Sequence, residues 1–445
     1  MSDWEIGLKL TDVRVGCIKI LQDESTDTAK QIFVQFIHIS YCYRFILDNL
    51  LHQSHVRMSA EAVAATDWTE VWVQASPLSA GEVLLSLVLL SATLLLESLS
   101  YLLHYLSDNK SNIDTSLVRT NPQLLEQTVK FGYNFESKYV HLPLTTKAGT
   151  PRVHYLDVGP KTARNILVLI HGEPFWSFAW TKVIPGLSAD NRVIVPDLVG
   201  FGKSDKYVDW RMYDLNLHLE TVILLMEHLG IDGSTQKVTM VGHNWGWMVG
   251  AGVARLRPSL FSALVILNTN NLPDGEAELD RYSHSSTLPR FLVLNAFFLL
   301  FRASMNLLRE HFPLGLLVHL LNRRYSKSLV SAMTSPWPTK EHCGGTTAFP
   351  LMVPVTASHP EAPQMSLIRQ FLSTWTKPTL ILYSQSALLP WVKDGNFVVG
   401  RRSEFYTKLI PGVVRSVRLS GEVGHLLMWD SPDQVVRELR QFIHY

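Results

Sequence analysis

From Ile166 to the C-terminus the chain repeats one pattern, a short run of β-branched and aliphatic residues followed by a longer amphipathic stretch, and few folds satisfy it. The runs are ILVLIHG (166–172), RVIVPDLVG (192–200), VTMVGHN (238–244), ALVILNT (263–269), PTLILYS (378–384) and RSVRLSG (415–421). Each has the length of a strand, and the stretches between them have the length of a crossover helix. The expected fold class is therefore α/β, with a mostly parallel sheet and helices on both faces. The spacing breaks once. Between residues 270 and 365 the gap is far longer than a crossover and holds its own apolar helical stretch, FLVLNAFFLLF (291–301). An insertion there would lie over the carboxyl ends of the strands, where open α/β sheets place their ligands, so it reads as a helical cap.

A chain of 445 residues exceeds what one core usually organises, so a further part is expected upstream. Its 40 basic residues balance 39 acidic ones, and no long basic run is present to neutralise phosphates, which argues against a nucleic-acid partner. Cys17, Cys42 and Cys343 are too few and too scattered for a disulfide framework or a zinc site, and the chain reads as reduced, metal-free and without a cofactor. Residues 1–76 show no sustained period and support no chemical assignment. Asp12, Arg14 and Lys19 interrupt the first apolar stretch, so no secretory signal is read there.

The segment 83–106, VLLSLVLLSATLLLESLSYLLHYL, carries one formal charge, Glu97, and as a helix it would roughly cross a ~30 Å hydrocarbon core. Its uninterrupted run from Val83 to Leu96 equally fits a buried or interfacial helix, and Glu97 is costly at bilayer depth. Two expectations stay open, a single-pass or peripheral membrane protein and a soluble cytoplasmic one. If the segment spans, Asp67, Glu70 and Glu82 lie before it and Lys110 and Arg119 after it, so the positive-inside rule leaves the C-terminal domain in the cytosol.

Gly242-His243-Asn244-Trp245-Gly246 joins a hydrophobic run to a helical one, WMVGAGVARL. Glycines two residues either side permit a sharp strand-to-helix turn that lifts the middle side chain over the sheet, with the helix start aiming N–H groups at developing negative charge. A Gly-x-x-x-Gly can also simply close a strand, but this one follows the third run, where a nucleophile elbow is expected. The loop His171-Gly172-Glu173-Pro174-Phe175-Trp176 could place the Glu173 N–H beside that of Trp245 as an oxyanion hole, or merely cap its strand. Gly424-His425 follows the last run, where the histidine of a nucleophile, acid, histidine order falls.

The segments HGEPFW (171–176), VPDLVGFGKSDK (195–206), VGHNWGW (241–247) and AFPLMVP (348–354) together resemble the haloalkane dehalogenases of the α/β-hydrolase fold, in the subfamily whose acid follows the strand after the cap. The resemblance runs from LVRTNPQLL at 117–125 through RVHYLDVGP (152–160) to the C-terminus. It implies a core of residues 118–271 and 366–445, a cap of residues 272–365 and an N-terminal extension of residues 1–117. It also implies a small apolar or halogenated ligand. Members attack the carbon bearing the halogen with an Asp carboxylate, and a His-activated water then hydrolyses the alkyl ester. Carried over, Asn244 holds the nucleophile position, His425 is the general base, Glu173 and Trp245 supply oxyanion N–H groups, and the Trp245 indole binds halide.

Three positions depart from that pattern. Asn244 replaces the Asp, the acid position in Tyr383-Ser384-Gln385-Ser386-Ala387-Leu388 is Ala387, and the second halide-binding indole is replaced by Phe301, which has no N–H. Losing the partner of a catalytic His costs about 10⁴ in rate in a comparable triad. Asp394 and Asp274 are the nearest acids in sequence, the alternative acid position after run 263–269 holds Asn268, and Trp337 reads as cap packing more readily than as a second halide donor. Three functions remain: a non-catalytic or altered member that binds a small molecule or supports a partner, an enzyme after hydrolysis of the Asn244 amide to Asp, and a hydrolase of epoxides or esters using water activated by His425.

Overall fold

The computed structural model describes residues 88–100, 113–269, 288–321, 324–384 and 402–443, all but 288–292 of them in one compact unit. Its strands are β1 (Leu117–Val118), β2 (Lys138–His141), β3 (Arg152–Val158), β4 (Asn165–Ile170), β5 (Arg192–Pro196), β6 (Lys206–Tyr207), β7 (Lys237–His243), β8 (Ala263–Leu267), β9 (Thr379–Tyr383) and β10 (Val413–Arg418). The principal helices are α1 (88–100), α2 (Leu215–His228), α3 (Trp245–Leu256), α4 (Leu288–Leu308), α5 (Leu314–Leu321), α6 (Lys327–Thr334), α7 (Gly344–Leu351), α8 (Ala362–Ser373), α9 (Arg402–Leu409) and α10 (Pro432–Ile443).

All six sequence runs become strands of one eight-stranded sheet in the order β10-β9-β8-β7-β4-β5-β3-β2. Pairing is parallel from β10 through β5 and antiparallel at β5·β3 and β3·β2. The antiparallel end has a simple cause. Only Leu142–Pro151 separates β2 from β3, too few residues for the crossover that parallel neighbours require. The central strands are covered on both faces, and Ile166, Leu167, Leu169 and Ile170 are fully buried, which is why they read as unbroken apolar runs. β10 closes one edge and keeps Arg415 and Arg418 on its exposed positions, a charged rim that discourages further pairing.

Between β8 and β9 the described chain is helical, from α4 to α8. Among the hydrogen bonds that fasten this inserted segment to the core, the indole N–H of Trp176 donates to the Met333 carbonyl at 3.1 Å, that of Trp337 to the Gly200 carbonyl at 3.1 Å, Thr120 Oγ1 to the Pro336 carbonyl at 2.7 Å, the Leu215 N–H to Glu361 at 3.1 Å, and the Tyr325 hydroxyl to Asp430 at 2.9 Å.

The expectation of a membrane-spanning helix at 83–106 finds no support among the described residues, which cover 88–100 of that segment. No helix among the described residues is long and apolar enough to cross a bilayer. Within α1, Glu97 is turned onto α4, 3.5 Å from Arg302 and accepting from Asn306 Nδ2 at 2.9 Å. Thr93 and Ser100 share its buried side, while Val88, Leu95 and Leu99 are exposed. The one charge of the apolar run is thus satisfied by the protein. Residues 83–87 and 101–106 lie outside the described set.

Candidate active site

β7 ends at His243, and the chain turns into α3 through Asn244, whose φ of 53° and ψ of −121° make it one of three non-glycine residues with positive φ among those described. Such a conformation is costly and persists only where the surroundings fix it. Here they do. A Cβ on Gly246 would lie 2.2 Å from the Ile170 carbonyl oxygen, and one on Gly242 2.4 Å from the Trp247 Cα. The Asn244 N–H donates to the Leu267 carbonyl at 3.1 Å, and its own carbonyl accepts from the Trp247 N–H and the Thr269 hydroxyl, both at 3.0 Å. The side chain follows from that backbone: the Trp245 N–H donates to Asn244 Oδ1 at 2.7 Å.

The loop after β4 is drawn against the elbow because Gly172 has no side chain. A Cβ there would sit 2.4 Å from that of Asn244. His171 braces the loop. Its Nε2 accepts from the Leu198 N–H at 3.1 Å, which leaves Nδ1 as the donor to the Gly172 carbonyl at 3.0 Å, and burial lowers its pKa so that the ring stays neutral. Further along, the Ser177 N–H donates to buried Asp197 at 2.7 Å. Between these anchors, Glu173 is 8% exposed and its Oε1 is buried without a hydrogen-bond partner. Burial pushes its carboxyl from an ordinary 4.5 up to about 8.

His425 is positioned through its backbone. Its carbonyl accepts from His243 Nε2 at 3.0 Å and from Asn268 Nδ2 at 3.0 Å, while the Gly424 carbonyl accepts from Ser384 Oγ at 3.0 Å and from Asn268 Nδ2 at 3.2 Å. The Ser384 N–H returns a bond to Asn268 Oδ1 at 2.9 Å. The ends of β7, β8 and β9 thereby hold one loop. The His425 ring lies 4.7 Å from that of His243 and 6.4 Å from that of Phe175, centroid to centroid. His243 is fully buried, and desolvation followed by the neighbouring His425 keeps its pKa well below the usual histidine range. Asn268, weighed above as the occupant of an acid position, is a clamp on the loop and carries positive φ itself. Ala387, Asp394 and Asp274 lie outside the described residues.

Motifs distant in sequence meet around Trp245. The Phe349 ring of AFPLMVP stands edge-on to the Trp245 ring at 4.9 Å, and Phe201 of VGFGKSDK stands edge-on to Phe349 at 4.8 Å. The Trp337 indole N–H is committed to Gly200 and its ring packs on Phe201 at 5.9 Å. Trp337 is a packing residue. Phe301 packs edge-on against Phe312 at 5.6 Å.

A sequence model of the alpha/beta hydrolase fold family matches residues 165–432. The haloalkane dehalogenase of Mycolicibacterium paratuberculosis is 30% identical over 310 residues, 69% of this chain and 92% of that protein. The chain belongs to the haloalkane dehalogenase family. A second member, from Psychrobacter cryohalolentis, is 29% identical over 319 residues, 70% of this chain and 93% of that protein. Among solved structures, the tetrameric haloalkane dehalogenase from Paraglaciecola agarilytica NO2 shares the fold, with a TM-score of 0.60, 22% identity, and coverage of 73% of this chain and 97% of that one. Over 148 residues, 32% of this chain and 46% of the relative, the sequence is also 36% identical to a cis-3-alkyl-4-alkyloxetan-2-one decarboxylase of Xanthomonas campestris.

Within this dehalogenase frame the sequence motifs named the elbow and its glycines. They did not assign His243, Thr269 or Ser384, each at or just beyond the carboxyl end of a central strand. That placement was the available signal, since these ends converge on the site in an open α/β sheet.

Proposed function

We infer that the encoded chain keeps the dehalogenase frame as a capped site for a small apolar or halogenated molecule and does not itself displace halide. One observation carries this reading: Asn244 Oδ1 accepts the Trp245 N–H at 2.7 Å, so the remaining end of the side chain is Nδ2, an uncharged donor where displacement needs a negative acceptor with a free lone pair. The amide nitrogen's lone pair is delocalised, and proton transfer to His425 alone does not give the amide a carboxylate's charge. Ala387 at the acid position and Phe301 at the second indole position agree with the same loss.

Halide release from 1-bromobutane and 1,2-dibromoethane tests it. The wild-type chain is expected to match a His425→Ala control, and release well above that control overturns the reading.

The same contact supports a second reading. With its carbonyl oxygen on a backbone donor, the Asn244 amide carbon stands where an ester intermediate would await water. Water activated by His425 adds to that carbon, the C–N bond breaks, and amide plus water gives carboxylate plus ammonium. Mass spectrometry of the peptide containing Asn244 after prolonged incubation decides between the readings, since an unshifted mass eliminates conversion.

A further inference from the structure

The inward side of α1 carries its charge. Leu90, Thr93 and Ser100 are buried at helical spacing with half-buried Glu97 between them, whereas Val88, Leu95 and Leu99 are exposed. A helix seated by apolar burial alone would turn its leucines inward. Its specific contact is instead polar: Glu97 lies 3.5 Å from Arg302 and accepts from Asn306 Nδ2 at 2.9 Å, one turn further along α4. Arg302 needs that partner. Its side chain is 23% exposed, its Nε is buried without a hydrogen bond, and burial draws its pKa down while Glu97 draws it back up. His359, between α7 and α8, also feels the guanidinium, but its ring accepts the Glu361 N–H at 3.2 Å and donates to the Leu351 carbonyl at 2.9 Å, as a neutral imidazole does. Among the described residues, Glu97 is the carboxylate that answers Arg302. The two partners come from different parts of the chain, since α4 lies within residues 165–432, matched by the family model, and α1 lies before them. The cap thus holds a cation that the extension neutralises.

We propose that α1 is a strap on the cap, in which Glu97 is a positioning residue that acts through Arg302 and Asn306 to hold α4 over the bound molecule. The proposal deepens, and rests on, the reading of this site as a capped one for a small apolar or halogenated molecule. Phe301, at the second indole position of the family pattern, is the neighbour of Arg302 on α4 and packs edge-on against Phe312 at 5.6 Å. Fixing Arg302 therefore fixes the turn of α4 that bears this side chain. Without Glu97 the guanidinium is a buried charge with no anion beside it, and α4 must shift to return it to water.

Amide hydrogen exchange of the full chain, read separately in α4 from Val293 to Leu308 and in β7, tests the strap. Glu97→Ala should speed exchange in α4 about tenfold or more, the size of one hydrogen bond to a charged group, and leave β7 unchanged. Glu97→Gln keeps the acceptor for Asn306 but not the charge, and should give a smaller effect of the same sign. Reversing the pair, with Glu97→Arg and Arg302→Glu together, should restore protection in α4. Affinity for 1-bromobutane, by isothermal titration, should fall in Glu97→Ala and return in the reversed pair. Unchanged exchange in α4, an equal rise in β7, or unaltered affinity beside faster exchange in α4 overturns the proposal. If circular dichroism shows that Glu97→Ala does not fold, Glu97→Gln decides by the same criteria. A wild-type chain that binds no 1-bromobutane removes the reading of the site, and the strap is then decided by exchange alone.

Discussion

The oxyanion side of the site and its acid-base side are built from different materials. On the proposed oxyanion side the group is a peptide N–H, that of Trp245, held by a turn that glycines at 172, 242 and 246 make possible. On the proposed acid-base side, the dehalogenase chemistry that the family resemblance implies needs particular side-chain atoms, a carboxylate at 244 and another near His425, and the sequence has Asn244 and, at the proposed acid position, Ala387. Backbone geometry is enforced by many contacts at once, so it survives changes of residue. A charge resides in one side chain and is lost with one substitution. The frame around Asn244 can therefore be complete while its ionic chemistry is missing.

The strongest way to break this comparison is to attack the backbone side. Gly246→Ala drives a Cβ to within 2.2 Å of the Ile170 carbonyl oxygen, and neither the strand nor the helix can yield cheaply. A loss of about 3 kcal/mol or more is expected in urea unfolding. Stability near that of the wild type would show that the elbow is not held as described.

Glu173 sharpens the comparison through pH. Its folded pKa, about 8, lies above the ordinary 4.5, so between those values the folded state holds a proton that the unfolded state has released. Stability attached to this group is full below pH 4.5 and falls as pH rises toward 8, by an amount on the order of a few kcal/mol. Glu173→Gln should remove that part of the slope, so that the variant gains on the wild type as pH rises. Thermal melts of both proteins at pH 5 and pH 8 measure it, and parallel slopes would contradict the burial of an unpaired carboxyl.

A smaller effect is expected at Asn268, whose amide joins Ser384, Gly424 and His425. Asn268→Ala strands bonds to buried carbonyls and should cost about 1–3 kcal/mol, with faster amide exchange in the 424–425 loop. The smallest change is Trp337→Phe. It removes one hydrogen bond, to Gly200, and should cost about 1 kcal/mol while leaving ligand affinity unaltered, as a packing residue requires.

Legibility in the sequence divides along the same line. Five of the six parallel strands were readable because burial on both faces writes itself into each run as mostly aliphatic residues, whereas β10, exposed at the edge, carries arginines in its run. The elbow was readable because its glycines are local in sequence. The Asn268 clamp was not, since its partners lie 116 to 157 residues away and no local pattern announces them. The role of Glu97 was hidden for the same reason. In isolation it interrupts an apolar run that otherwise reads as a membrane span, and only Arg302 and Asn306 on α4 show what it does. Position 387 carries no structural account, because it lies outside the described residues.

The most direct test of an intact frame with absent charges is halide release from 1-bromobutane by four proteins: the wild-type chain, Asn244→Asp, Ala387→Asp, and the variant with both changes. Release above the His425→Ala background is expected only from the variant with both carboxylates. Halide release by the wild-type chain at the rate of that variant would contradict the account.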